Sequence, residues 1–298
     1  MPLKHVEKAP YVLDDRGRRS LSHRRMQTFR SLLFTPADRP DRFARALTSR
    51  ADAVCLDLED AIAPGKKTEA RAHAAAFLRE HDLAGPSIIG VRINPLDSSW
   101  WAEDVAATAG ADFLLLPKAV SAVQLAMLRA ARPNTPLWPL VETAEGLRNC
   151  WQIAAAPGVE GVLFGAFDYA ADVGCTMDWE PLLFVRSQLA AAAARARIQL
   201  LDAPSGELAD MHGLRQQTLR VKALGFTGRA CIHPAQIGAV NAAFTSSQAE
   251  IDAALRILEA FDAAGEGVAQ LDGKLLEKPV ALAARRVLAR ANGFQGVN

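Results

Sequence analysis

The sequence predicts an α/β fold of the closed (β/α)8 barrel class, on three observations. From Ser31 onward, short apolar runs rich in Val, Ile, Leu and Phe alternate with longer segments of helical period, the pattern of repeated strand–helix units around a parallel sheet. Eight such units follow one another, and no glycine-rich dinucleotide turn follows the first strand, which favours a closed barrel over an open doubly wound sheet. Half of the 298 residues are hydrophobic, enough for a large core, and barrels of about 250 residues commonly form one domain.

The strands are expected at SLLFT (31–35), AVCLDL (53–58), IIGVRIN (88–94), FLLLP (113–117), LWPLV (137–141), GVLFG (161–165), QLLDA (199–203) and RACIH (229–233). The helices between and after them are expected at 39–49, 67–83, 98–108, 121–131, 143–155, 181–196, 207–224 and 234–244. Beyond Phe244 comes a capped helix, with Ser246 or Ser247 followed by acids in its first turn and glycines at its end. A glycine-punctuated turn, VAQLDGKLLEKP, then leads to a final basic helix from Val280. The expected organisation is a basic arm (1–28), the barrel (29–245) and a C-terminal helical tail (246–298) that forms a lid or an oligomer contact.

A net charge of +1 with interspersed acids and bases gives no general polyanion-binding surface, so nucleic acid is not an expected partner. Cys55, Cys150, Cys175 and Cys231 show no CxxC pair or metal-finger spacing; Cys55 and Cys231 lie in apolar runs and read as reduced core residues. No run of about eighteen apolar residues is present, so no membrane span is expected and the protein reads as soluble and cytoplasmic. The arm carries Arg16, Arg18, Arg19, Arg24 and Arg25 among Glu7, Asp14 and Asp15, without the apolar region of a signal peptide, and reads as a solvated or subunit-packing extension.

In barrels of this class the chemistry sits at the carboxyl ends of the strands. Those ends carry Thr35; Asp57, Glu59 and Asp60; Arg92 and Asn94; Lys118; Glu142; Asp168; Asp202; and His233, a polar set that a purely structural barrel would not require. Glu142 in LWPLVETAEG and Asp168 in GVLFGAFDYAADVG each end a run that reads as a buried strand. A buried ionised carboxyl costs several kcal/mol (on the order of 2–7 for an unpaired polar group, more for a charge) unless a cation meets it. Two such acids suggest a shared ion, and oxygen-only ligands favour Mg²⁺ over zinc. The alternative reading makes Glu142 a cap of the following helix and Asp168 a solvated loop acid. Arg92 offers a planar fork to a substrate carboxylate, or a salt bridge to Asp57, Glu59 or Asp60. Glu59 and Asp60 would overcharge one ion beside Glu142 and Asp168, so they are expected to act around it, through water or Lys66.

The segments RSLLFTPADRPDRFARA, ADAVCLDLEDAIAPGKKTEAR, VRIN, LLPK, PLVETAEGL, GAFDYAADVG and GFTGRACIHPAQI, in this order, resemble the HpcH/HpaI aldolase and citrate lyase superfamily. The nearest branch resembles citrate lyase β subunits and malyl-CoA or citramalyl-CoA lyases. The resemblance runs from Arg30 to about Leu288. It implies a TIM barrel, Mg²⁺, a homotrimer or hexamer, and reversible cleavage of a 3-hydroxyacyl thioester into a 2-oxo acid and acetyl-CoA or a carrier thioester. By the same resemblance, Glu142 and Asp168 fall on the metal ligands, with Glu142 thereby at the substrate, and Arg92 falls on the arginine that holds the oxo-acid carboxylate. Arg45, with Arg39 as a neighbour, falls near the CoA phosphates. The family's tail aspartate, taken as an acid/base that reaches into a neighbouring subunit's site, is replaced by Glu277 in GKLLEKP. Misplacement of a reacting group by about 1 Å costs about a hundredfold in rate, so the extra methylene bears on activity and substrate alike. Phe167 in GAFD stands where an acid is commoner. Two rivals remain: a metal-dependent pyruvate-type aldolase that uses no CoA, and a weakened barrel serving as a CoA or oxo-acid binding subunit, which the Glu277 and Phe167 departures favour.

Overall fold

Eight parallel strands hydrogen-bond in sequence order, and the last closes on the first. They are β1 (Ser31–Pro36), β2 (Ala53–Asp57), β3 (Ile88–Arg92), β4 (Phe113–Leu116), β5 (Leu137–Val141), β6 (Gly161–Phe164), β7 (Gln199–Asp202) and β8 (Gly228–Cys231). The structure is a computed structural model that describes residues 28–80, 88–265 and 268–294. Almost all of the basic arm therefore lies outside the described residues, as do 81–83 at the end of the second expected helix.

Each strand contributes alternate side chains to the two faces of the barrel wall. The outward set packs on the helices as the larger core, with Leu33, Val54, Leu56, Ile89, Val91, Leu114 and Val162 among its members. The inward set is smaller: Leu32, Ala53, Cys55, Ile88, Phe113, Leu115, Trp138, Leu140, Leu163, Leu201 and Ala230, with Phe29 ahead of β1. Three rings meet at the barrel floor. Phe29 stacks on Trp138 with centroids 5.2 Å apart and lies 5.9 Å from Phe113, which is 5.7 Å from Trp138. Glycines make room for them: a Cβ on Gly90 would lie 2.1 Å from the Phe113 ring, and one on Gly161 2.4 Å from the Trp138 ring. The floor is a plug of packed aromatic carbon.

The helices depart from expectation where local chemistry overrides period. The segment 39–49 becomes a 3₁₀ turn (Pro40–Arg42) running into α1 (Phe43–Leu47), which stops where the Thr48 hydroxyl bonds back to the Ala44 carbonyl. Next come α2 (Lys67–Glu80), α3 (Trp101–Ala107) and α4 (Ala122–Ala131), the last capped by the Ser121 side chain. The expected 143–155 helix is two short ones, α5 (Ala144–Arg148) and α6 (Cys150–Ala154). They are broken at Asn149, whose Nδ2 donates to the Val120 carbonyl at 2.7 Å instead of facing solvent. An unforeseen helix, α7 (Ala166–Val173), follows β6 and ends at left-handed Gly174. Then come α8 (Trp179–Ala196), α9 (Met211–Leu224) and α10 (Ala235–Phe244). Helix α9 starts four residues later than expected because Asp210 caps it, accepting from the Gly213 N–H at 2.8 Å.

In the tail, α11 (Gln248–Ala263) begins at Ser247, which forms a reciprocal capping box with Glu250. The glycine-punctuated stretch is a hairpin of β9 (Ala269–Leu271) and β10 (Lys274–Leu276), turned at Asp272 and Gly273, both left-handed. Helix α12 (Lys278–Phe294) starts two residues before Val280, and Ala254, Phe261, Ala281 and Ala284 are buried in this part of the chain. No described helix is long and apolar enough to cross a membrane. All four cysteines are free, and burial pushes the Cys231 thiol up to about 12.

Candidate active site

The inward alternation that lines the floor with carbon continues up each strand to the mouth. There it presents Phe34, Asp57, Arg92 and, one residue past β5, Glu142. The parallel register sets Asp57 beside Arg92. Asp57 takes the guanidinium as a fork, with Nε to Oδ1 at 2.7 Å and Nη2 to Oδ2 at 2.5 Å. Arg92 Nη1 lies 2.9 Å from Glu59 Oε2 and 3.9 Å from Asp60, and the group sits 4.9 Å above the Phe34 ring. Burial opposes its charge, but Asp57, Glu59 and Asp60 outweigh burial and hold the guanidinium above its ordinary range. The salt bridges of the second reading of Arg92 form, and they form at the mouth.

Glu59 is buried, and its Oε2 makes an ion pair with Arg92 without a hydrogen bond. Burial, helped by Asp60 and Asp57 against the pull of Arg92, lifts its carboxyl to about 7. The loop that carries it is braced by Lys67, whose Nζ donates to the carbonyls of Leu58 and Glu59 at 2.8 and 2.7 Å and to Asn94 Oδ1 at 2.8 Å. Lys66, the expected partner of Glu59 and Asp60, instead faces solvent 3.7 Å from Glu69. Lys66 ends the 3₁₀ turn Pro64–Lys66 and Lys67 opens α2, where helix phase turns it inward.

Glu142 is buried, and its Oε1 accepts the Lys118 backbone N–H at 2.7 Å. It is not a helix cap; Thr143 caps α5, with Oγ1 accepting from the Gly146 N–H. Burial lifts the Glu142 carboxyl to about 8; the Lys118 N–H and Arg92 oppose this, while Asp168 and Glu59 add to it. Lys118 itself holds φ 49°, the left-handed region, at a cost of about 1–2 kcal/mol for a residue with a Cβ. Strain of this kind collects at functional sites.

Asp168 is not a strand-end residue as the sequence suggested. It stands in the first turn of α7, half-buried, where the N-terminal backbone dipoles favour a carboxylate. Asp172, one turn on, accepts the Ala144 N–H at 2.7 Å and ties α7 to the start of α5, which fixes Asp168 relative to Glu142. The residue before α7 is Gly165, and a Cβ there would fall 2.5 Å from both Cβ and Oε2 of Glu142. Gly165→Ala is therefore expected to push the Glu142 carboxylate aside, costing about 1–3 kcal/mol as an overpacked site. Thermal melts and magnesium titration check this, and unchanged values for both would refute the crowding argument.

Among the described residues no group of three or more His, Cys, Asp or Glu is arranged to hold a metal ion. Glu142 and Asp168 supply two carboxylates at an open mouth, a donor set that fits an ion such as Mg²⁺, which keeps several waters and uses one or two protein carboxylates. Arg45 lines a cavity of about 240 Å³ with Arg42, Thr35 and His233, between the ends of β1 and β8. Arg39 does not line it; its guanidinium forks onto Asp41 at 2.9 and 2.8 Å. Asp202 faces outward, fully buried between Arg186 at 3.0 Å and Arg229 at 3.6 Å. Phe167 is exposed and leans over Gly206. Glu277 is exposed at the head of α12.

Residues 30–234 match the family model described as HpcH/HpaI aldolase/citrate lyase. The chain belongs to this family. A second model, for carbon–carbon bond lyases of the TIM-barrel fold, matches residues 179–297, across the end of the barrel and the tail. The HpcH/HpaI resemblance read from the seven motifs and the barrel class are both borne out, and the chain is an enzyme of a lyase family. Among relatives, a (3S)-malyl-CoA thioesterase of Cereibacter sphaeroides is 37% identical over 89% of this chain and 95% of its own. The citrate lyase subunit beta of Escherichia coli is 34% identical over 91% of this chain and 96% of its own. A structure of CitE from Mycobacterium tuberculosis in complex with magnesium, acetoacetate and coenzyme A has a TM-score of 0.78 at 33% identity, covering 90% of this chain and 99% of that one.

Proposed function

We propose that the protein is a Mg²⁺-dependent carbon–carbon lyase that cleaves or forms a 3-hydroxyacyl thioester such as malyl-, citramalyl- or citryl-CoA, with a 2-oxo acid and acetyl-CoA, or a carrier thioester, on the other side. The observation that carries this reading is that Glu142 lies within electrostatic reach of both Asp168 and Arg92 at the barrel mouth, where the Asp168 charge opposes ionisation of Glu142 and a cation would favour it. Glu142 and Asp168 are the proposed ligands. Bound there, Mg²⁺ supplies Lewis-acid polarisation and lowers the pKa of a coordinated hydroxyl. The Lys118 N–H holds Glu142 in place, and Asp57 fixes the plane of Arg92, which takes the oxo-acid carboxylate.

A base takes the hydroxyl proton, the C–O bond becomes the carbonyl of the 2-oxo acid as the C–C electron pair moves to the thioester fragment as an enolate, and a general acid then protonates that enolate at carbon. Glu277 is the proposed acid. Its exposed place in the tail leaves the carboxyl open to delivery to a second copy in a homotrimer or hexamer. Arg45, with Arg42 beside it, is the proposed contact for the CoA phosphates, supported by the cavity next to the mouth.

The test is incubation with Mg²⁺ and each of the three CoA esters, following acetyl-CoA. Release of acetyl-CoA with the matching oxo acid is expected. Release of free CoA with the intact hydroxy acid would replace cleavage by thioester hydrolysis, the reading favoured by the 37% identity to a (3S)-malyl-CoA thioesterase. Glu277→Gln is expected to lower turnover by about a hundredfold or more while leaving Mg²⁺ affinity unchanged. Full turnover in that variant would remove Glu277 from the mechanism.

A further inference from the structure

We infer that Lys118 is the second arm of a carboxylate clamp, sharing with Arg92 the anionic end of the oxo acid; this rests on the reading of the mouth as an oxo-acid site. Arg92 is nearly spent. Asp57 takes its Nε and one Nη2 hydrogen, and Glu59 faces Nη1. A substrate carboxylate that met Arg92 alone would find one edge already occupied.

Lys118 differs in each respect. Its side chain is 47% exposed, and Glu59 Oε1 is 3.7 Å from its Nζ, too far for a hydrogen bond. The ammonium has three donors, and Glu59 engages at most one of them. Its root is pinned beside Glu142 by the backbone N–H, so the side chain starts at the site. Glu59 also demonstrates the span. Its two oxygens lie 2.9 Å from Arg92 Nη1 and 3.7 Å from Lys118 Nζ, so one carboxylate is the right size to face both cations. Five carboxyl groups, those of Asp57, Glu59, Asp60, Glu142 and Asp168, crowd this mouth, and an incoming dicarboxylate is better met by two cations than by one buried guanidinium already paired with acids.

Calorimetric titration of Lys118→Met and Lys118→Arg with pyruvate and with oxaloacetate, at fixed Mg²⁺, tests the clamp, alongside a titration with Mg²⁺ alone. The methionine variant is expected to bind both oxo acids about tenfold or more weakly, with the arginine variant recovering most of the loss. Mg²⁺ affinity is expected to hold or tighten, since a cation has been removed from beside its ligands. Oxo-acid affinity within about twofold of wild type in Lys118→Met overturns the clamp, as does an equal loss of Mg²⁺ affinity, which would mean that the residue acts through Glu142. A wild-type protein that binds neither oxo acid overturns the reading of the mouth itself, and the clamp with it.

Discussion

Arg92→Met is expected to cost about 3–5 kcal/mol of folding stability, because removing one partner of a buried ion pair strands the other in a poorly solvated place. Two carboxylates are stranded here. Asp57 and Glu59 are both buried, and their common cation is Arg92. Arg92→Lys keeps the charge but cannot reproduce the fork onto Asp57, so it is expected to fall between wild type and Arg92→Met. Urea unfolding of the three proteins decides the order. A loss below about 1 kcal/mol in Arg92→Met would show that the acids find water or protons on their own. Turnover is expected to vanish in Arg92→Met and to fall steeply in Arg92→Lys, with the larger effect on the oxo-acid KM.

The second large effect is a link between proton and metal at Glu142. Its carboxyl is raised from 4.5 to about 8 by burial, so in chelator the folded protein holds a proton that the unfolded chain releases. Stability contributed by this group is full below about 4.5 and is lost as pH rises through about 8, at up to about 1.4 kcal/mol per pH unit. Glu59, raised to about 7, adds a loss of the same sign over a lower window. Mg²⁺ binds the carboxylate form, so its affinity is expected to rise about tenfold per pH unit until pH passes about 8, and each ion bound should release a proton. Melts in EDTA between pH 5 and pH 9 (roughly the range where both carboxyls titrate), and calorimetry in buffers of different ionisation heat, measure the two arms. Glu142→Gln should remove the upper part of the stability loss, leaving that of Glu59, and should abolish most of the Mg²⁺ binding. A pH-independent Mg²⁺ affinity in the wild type would sink this account.

The barrel was legible because its strands obey one rule, a short β-branched and aromatic run closed by a turn, and every expected strand lies within about two residues of the observed one. Glu142 and Arg92 were legible for the same reason, as charges where an inward-facing row continues past the carbon core. Asp168 was placed in the right neighbourhood but on the wrong element. GAFDYAADVG carries no Ser, Thr, Asp or Asn at the cap position, since Gly165 must leave room for Glu142, and a helix without a cap signal reads as a loop. Adjacent like residues were separable only in three dimensions. Lys66 and Lys67, or Arg39 and Arg45, have the same chemistry, and the phase of a short helix decides which one turns toward the site. The hairpin in the tail was overlooked although Asp272–Gly273 is a strong turn pair, because the flanking runs are only three residues each.

The ring-packed floor of Phe29, Phe113 and Trp138 makes the lumen a blind well with a single door. Solvent, reactants and spent fragments must all use the rim, and none can drain away below. Whatever settles over that rim, whether the loops above the strands or the tail of an adjoining copy, therefore commands arrival, dryness and departure together, a control that an open-ended tube would not allow.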